Sequence, residues 1–339
     1  MSSQFDESLL ELAWSLWTEF GVPGWERRRH HDTAIDPESL IVFTAVISEI
    51  DSRLRDEVMG WCIAFDRLIS IVRLKNVVKQ QAEPDVRLFN RFAAALNDAA
   101  ELDWPAGGYR SSIAIEPRTR NWSRDLSKTA STVSLRLRGI FGVGARAEVL
   151  RVFLAYPDAA LSAPEMAPMV LYIRRNVALA LEALEIGGLV DSLLERNSLR
   201  YMLSRRTALV ELAAPVPPKF PAWSELFKLL LGLRHTINNP KKTSLLRSIQ
   251  AREFLEAHAY AIARTSLPMP PPIGPEPESV GLFQEWALQC AALIATNHGD
   301  ALETPKARPA YVRLRRPRSG TKRSESARRK RAPTVSARG

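Results

Sequence analysis

Eight side chains between residues 172 and 200 carry the chemistry that this sequence most readily offers. Tyr172, Arg174, Arg175, Asn176 and Leu179 fall together in YIRRNVALALEALEIGG, and Arg196, Asn197 and Arg200 follow in LLERNSLR. Arginine presents a planar fork that chelates O6 and N7 of guanine, asparagine pairs with adenine, and an apolar side chain can touch a thymine methyl. These are the residue types that read base edges. Helical arithmetic sorts them. With Val177 at zero and 100° per residue, Ile173, Ala180, Leu181 and Leu184 fall within about 60° and form a core face. Tyr172, Arg175, Asn176 and Leu179 then point outward and Arg174 lies on a flank. Arginines on an amphipathic helix also serve as a plain solvated face, so base contact requires elements that carry this face to a groove.

Those elements are legible on either side. GARAEVLRVFLAYP reads as a helix ended by Pro157. Ser162 and Glu165 make a capping box, and Pro164 suits the first turn of the helix they open. Pro168 keeps that helix brief. A third helix runs from about 171 to 186 and stops at Gly187-Gly188, a left-handed C-cap signal. LVDSLL and LRYML are extended runs separated by Glu195-Arg196-Asn197-Ser198, which predicts a hairpin.

Helix, short helix, longer helix and hairpin within about 60 residues resembles the winged helix-turn-helix of bacterial regulators of the ArsR and MarR kind. The phrase ALEALEIGGLV is similar to the ending of those families' recognition helices, where glycine leads into the wing. The resemblance implies duplex DNA as the partner, with the start of the third helix in the major groove. Arg196 and Asn197 would sit at the wing tip with Arg200 beside them, suited to backbone or minor groove. Pro168 and Met169 stand where a plain helix-turn is expected, which displaces the turn. No cysteine pair is present here, so metal sensing as in some ArsR regulators has no support.

The rest of the chain frames this segment. Proline clusters at 213–222 and 268–277 exclude helix interior and central strand. Asp36-Pro37-Glu38 opens a helix in the N-terminal region, and helical spacing recurs over about 52–65, 67–80 and 85–101. Residues 223–237, 244–265 and 279–296 carry further helix patterns. The expected fold is mainly α. A helical domain covers 1–120, the winged helix 121–212, a helical region 223–303 and a disordered basic tail 304–339. Trp14, Trp17 and Trp25 could stack in a cofactor site, but at helical spacing they read as core.

Catalytic signatures are missing. Gly139, Gly142 and Gly144 form no dinucleotide fingerprint, and no P-loop, HExxH or G-x-S-x-G occurs. His30-His31-Asp32 extends a basic run, Arg27 to Arg29, and reads as a loop or helix end. The reading is a non-enzyme without cofactor or metal. Cys62 and Cys290 lie far apart, which fits a reducing compartment. The acidic N-terminus looks like no signal peptide, and no run of about 18 apolar residues spans a bilayer. A cytoplasmic, nucleoid-associated protein is expected.

The formal charge of +10 is unevenly placed. Residues 306–339 hold 13 basic groups and one acid, whereas the preceding 305 balance to −2. Such an arm attracts phosphates without reading sequence, or merely solubilises the chain. The function implied is a sequence-specific transcriptional regulator, binding as a homodimer through helices 244–265 and 279–296. A weaker resemblance, to regulators encoded beside nucleotidyltransferase-type toxins, implies an autoregulating antitoxin with a toxin-like partner. The alternative is an assembly protein whose winged helix grips another protein.

Overall fold

A computed structural model describes residues 2–24, 30, 32–110, 129–195, 197–213, 219–238, 243–263, 265, 267–274 and 276–296. The chain is mainly helical. Among the described residues it forms thirteen α-helices and one two-stranded antiparallel sheet. The first five helices are α1 (Ser2–Glu19), α2 (Pro37–Ile47), α3 (Ser52–Ala64), α4 (Ile71–Val78) and α5 (Glu83–Ala100). Next come α6 (Val133–Phe141), α7 (Ala145–Ala155), α8 (Ala163–Val170) and α9 (Arg174–Ile186). Strands β1 (Val190–Glu195) and β2 (Ser198–Leu203) lead to α10 (Arg206–Ala213). The last helices are α11 (Trp223–Ile237), α12 (Ser244–Ala263) and α13 (Pro277–Ala295).

Two apolar cores organise these elements. The first is built by α1 to α5 together with α11 to α13, so the C-terminal helices complete the core begun at the N-terminus. Its centre is α2, buried on every side, as suits a helix that is apolar all round. Asp36 caps α2 by accepting from the Ser39 amide at 3.4 Å, with Pro37 pre-set for the first turn. The tryptophans belong to this core. Trp17 donates to Thr44 Oγ1 at 2.8 Å and Trp61 to the Phe20 carbonyl at 3.2 Å, so both buried indoles are satisfied. Trp25 lies outside the described residues. Helices α11 and α12 approach closely at Gly232, where a Cβ would stand 2.7 Å from the Phe254 ring.

The apolar stripe of α13, including Phe283, Trp286, Cys290 and Ile294, is covered within the chain by that core. Leu282 of α13 and Leu245, Leu246 and Tyr260 of α12 remain exposed.

The second core holds α6 to α10 and the hairpin, with Val149, Phe153, Met166, Val177, Leu181, Leu184, Tyr201 and Leu203 inside. Between the two cores lies a layer of buried charge. Asp36 and Glu38 of the α2 start, Arg73 of α4, Arg138 of α6, and Glu148 and Arg151 of α7 are all buried. Arg73 Nε donates to Glu38 Oε2 at 2.9 Å, and its Nη2 pairs with Asp36. Arg138 forks between Glu38 (2.6 and 2.8 Å) and Glu148 (2.8 and 2.6 Å) and also reaches the Leu68 carbonyl at 2.9 Å. Arg151 Nη2 lies 2.9 Å from Glu148 Oε2, and its guanidinium covers the Phe220 ring at 4.0 Å. Three acids face three arginines, so the layer is neutral and each core supplies both signs.

This balance sets the protonation states. Burial alone would push the Glu148 carboxyl up, but Arg138, Arg73 and Arg151 hold it at about 2. Burial opposes ionisation of Asp36 as well, and Arg73 and Arg151 keep it well below the ordinary carboxylate range. Burial lowers Arg151 below its usual value.

Candidate nucleic-acid interface

The segment from α8 to β2 is shaped by local chemistry. The Glu165 carboxylate accepts from the Ser162 amide at 2.9 Å and from its hydroxyl at 2.7 Å, which anchors the start of α8. Helix α8 ends at Leu171, which takes a left-handed conformation at φ 55°. Ile173 is extended, and α9 begins only at Arg174. This is the displaced turn that Pro168 and Met169 foreshadow.

The late start of α9 corrects two placements. Tyr172 does not face outward. Its side chain is buried, and its hydroxyl lies 2.8 Å from Ser70 Oγ. Ile173, placed on the core face by the helical wheel, is 63% exposed. The wheel advances 100° per residue only inside a helix, and the left-handed step at Leu171 re-aims both side chains. From Arg174 onward the arithmetic and the structure agree. Arg174, Arg175, Asn176 and Leu179 are exposed, while Val177, Ala180, Leu181 and Leu184 are buried. No side chain caps α9, so the positive end of its dipole stays open beside two arginines.

The hairpin pairs Val190 with Leu203 through to Glu195 with Ser198. Gly188 supplies the positive φ of 70° that turns α9 into β1. Leu161, just before α8, exchanges two 2.9 Å backbone hydrogen bonds with Tyr201 and lies against β2. Arg200 is committed inward, which corrects its place as a wing contact. It donates to the Ala160 carbonyl at 2.7 Å and to Glu165 at 2.8 Å, and lies 2.8 Å from Glu195. It ties the hairpin to the start of α8. Asn197 is exposed at the tip, and Arg196 lies outside the described residues. Arg205 and Arg206, passed over in the sequence reading, are exposed just after β2.

Charge on this face is graded. The first turn of α9 is cationic, whereas Glu182 and Asp191 are exposed farther along. An apolar ridge also runs down α9, with Leu179 55% and Ile186 83% exposed after Ile173. Leu194 and Leu199, paired across the hairpin, are exposed as well.

Other places offer less. A cavity of about 300 Å³ opens between α2, α3 and α5, but its rim cations are answered. Arg91 pairs with Glu49 and Arg55 with Asp56, each at 3.0 Å. His30 is buried with Nε2 3.1 Å from Ser15 Oγ, and His31 and Arg27 to Arg29 lie outside the described residues. No group of three His, Cys, Asp or Glu side chains among the described residues is placed to hold a metal. Both cysteines are buried, and burial pushes the Cys290 thiol up to about 12. No helix among the described residues is long and apolar enough to cross a membrane. No protein-family model, curated protein or solved structure matches this chain.

Proposed function

We propose that this protein is a sequence-specific DNA-binding regulator that reads the major groove with the first turn of α9. The observation that carries the reading is the uncapped, exposed α9 start with Arg174, Arg175 and Asn176 side by side. Backbone amides and a helix dipole favour phosphate, while the two forks and the amide suit base edges. The order α7, Leu161, α8, α9, β1, β2 supports a winged helix, with Leu161 as the short first strand. Exposed Arg205 supports a backbone contact beside the hairpin, and Arg206, 3.7 Å from Asp158, lies next to it. Sequence-specific regulators of this kind bind two-fold operators as dimers, and a homodimer is part of the proposal.

A second reading, docking of a protein partner, is favoured by the apolar ridge of Ile173, Leu179 and Ile186. One selection separates the two. The full chain is offered a pool of random duplexes, alongside Arg175→Ala and Ile186→Glu variants. Enrichment of a defined site that Arg175→Ala loses and Ile186→Glu keeps supports DNA readout. No enriched site sinks it.

A further inference from the structure

Three side chains of the N-terminal body, spaced three apart on one side of α4, hold three consecutive residues of the α8–α9 turn. Arg73 Nη1 donates to the Val170 carbonyl. Asn76 Nδ2 donates to the Leu171 carbonyl at 3.0 Å. Ser70, the N-cap of α4, meets the Tyr172 hydroxyl at 2.8 Å. The Leu171 side chain completes the grip, because it packs against the first core while Val170 and Tyr172 belong to the second.

The conformation at this point requires an external hold. Leu171 is a non-glycine residue at φ 55°, which is disfavoured by the contact of Cβ with the backbone and persists where surroundings over-determine it. Ile173, the residue that should cap α9, has no side chain able to do so. The start of α9 therefore lacks the local devices that usually fix a helix N-terminus. The contacts from α4 stand in their place. Arg73 is itself immobilised by Asp36 and Glu38, so the hold is continuous with the buried charge layer.

We infer that Ser70, Arg73 and Asn76 are positioning residues for α9, so that the N-terminal helical body sets how the reading helix is presented. The inference rests on the DNA reading above for its consequence, though not for the grip itself. A body that loosens α4 would blunt sequence discrimination while leaving phosphate attraction in place. That makes α4 the point through which the N-terminal helices can govern DNA choice.

Two mild variants test it in the full-length chain. Asn76→Ala removes one donor from a half-buried site, and Tyr172→Phe removes only a hydroxyl. Asn76→Gln keeps an amide donor and serves as the rescue. Hydrogen exchange of the bonded amides of Tyr172, Asn176 and Val177 should quicken about fivefold to tenfold in the first two, as loss of one hydrogen bond at a buried or half-buried site implies. Exchange in α1 and α13 should not change, which separates a local effect from general unfolding. Affinity for a duplex selected by the wild-type chain should fall about fivefold relative to a random duplex, with random binding unaltered. Asn76→Gln should recover part of both effects. Unchanged exchange at Tyr172, Asn176 and Val177 overturns the grip. Faster exchange with an unchanged specific-to-random ratio overturns its role in reading DNA. If the wild-type chain selects no duplex, the DNA reading fails, and the exchange data still decide whether α4 holds the start of α9.

Discussion

Arginine does opposite work in two regions of this molecule. In the layer between the cores, Arg73, Arg138 and Arg151 are fully buried, and Asp36, Glu38 and Glu148 answer their charge. At the start of α9, Arg174 and Arg175 are exposed, with no ion pair among the described residues. A buried guanidinium that must satisfy carboxylates is fixed and removed from ligands, whereas a solvated one keeps its fork available. Residue type alone does not mark a phosphate or base contact. Its neighbours decide. Arg200 makes the point within the candidate interface, because Glu165 and Glu195 have already claimed it.

The largest effect is expected in the buried layer. Glu148→Gln leaves Arg138 and Arg151 short of a counter-charge and should cost roughly 3–5 kcal/mol in a urea titration. A loss below about 1 kcal/mol would mean that the layer does not hold the cores together. The same carboxylates give the layer its pH dependence. Glu148 is held at about 2 when folded, against an ordinary value of 4.5. A depressed folded value contributes stability above the unfolded one, and that stability is lost as pH falls through the folded value. Unfolding free energy should therefore decline between about pH 4.5 and pH 2, and Glu148→Gln should flatten the decline.

Truncation after Glu303 sharpens the contrast between localised and diffuse cations. Residues 306–339 carry 13 basic groups, and each engaged phosphate contributes about −0.9 to the slope of log K against log salt. If roughly four to six engage, the slope should flatten by about four units while preference for a selected site persists. An unchanged slope would show that these residues do not meet DNA. The smallest effect is expected at Gly188, where φ is 70°. Gly188→Ala should destabilise by about 1 kcal/mol through backbone strain alone, measured by thermal melting.

Local signals made the α7-to-hairpin order readable in the sequence. Pro157 ends α7, Ser162 and Glu165 open α8, glycines close α9, and Glu195 to Ser198 mark the hairpin turn. Each acts through neighbours a few residues away. What stayed hidden depends on distant residues. Arg151 falls at helical spacing with Ala147 and Leu154 on a buried stripe, and Glu148 is its neighbour three residues back, but nothing nearby reveals that Phe220 lies under it or that Arg73 and Arg138 share the Glu148 carboxylate. The pairing of α13 with the N-terminal core joins opposite ends of the described chain. The left-handed Leu171, which turns Tyr172 inward, has no glycine or asparagine to announce it, because its support comes from Asn76 and the first core.

A double variant, Arg174→Ala with Arg175→Ala, tests whether the first turn of α9 reads DNA. Binding is measured at one salt concentration on the wild-type-selected duplex and on a random duplex, with melting temperature as the control for folding. Each bidentate base contact contributes about 1–3 kcal/mol of discrimination, so specific affinity should fall at least tenfold. Random binding should change by less than about threefold, and the melting temperature should hold, since both side chains are exposed. Equal weakening on the two duplexes would contradict the account, because it would make these arginines phosphate contacts and place the specificity elsewhere in the chain.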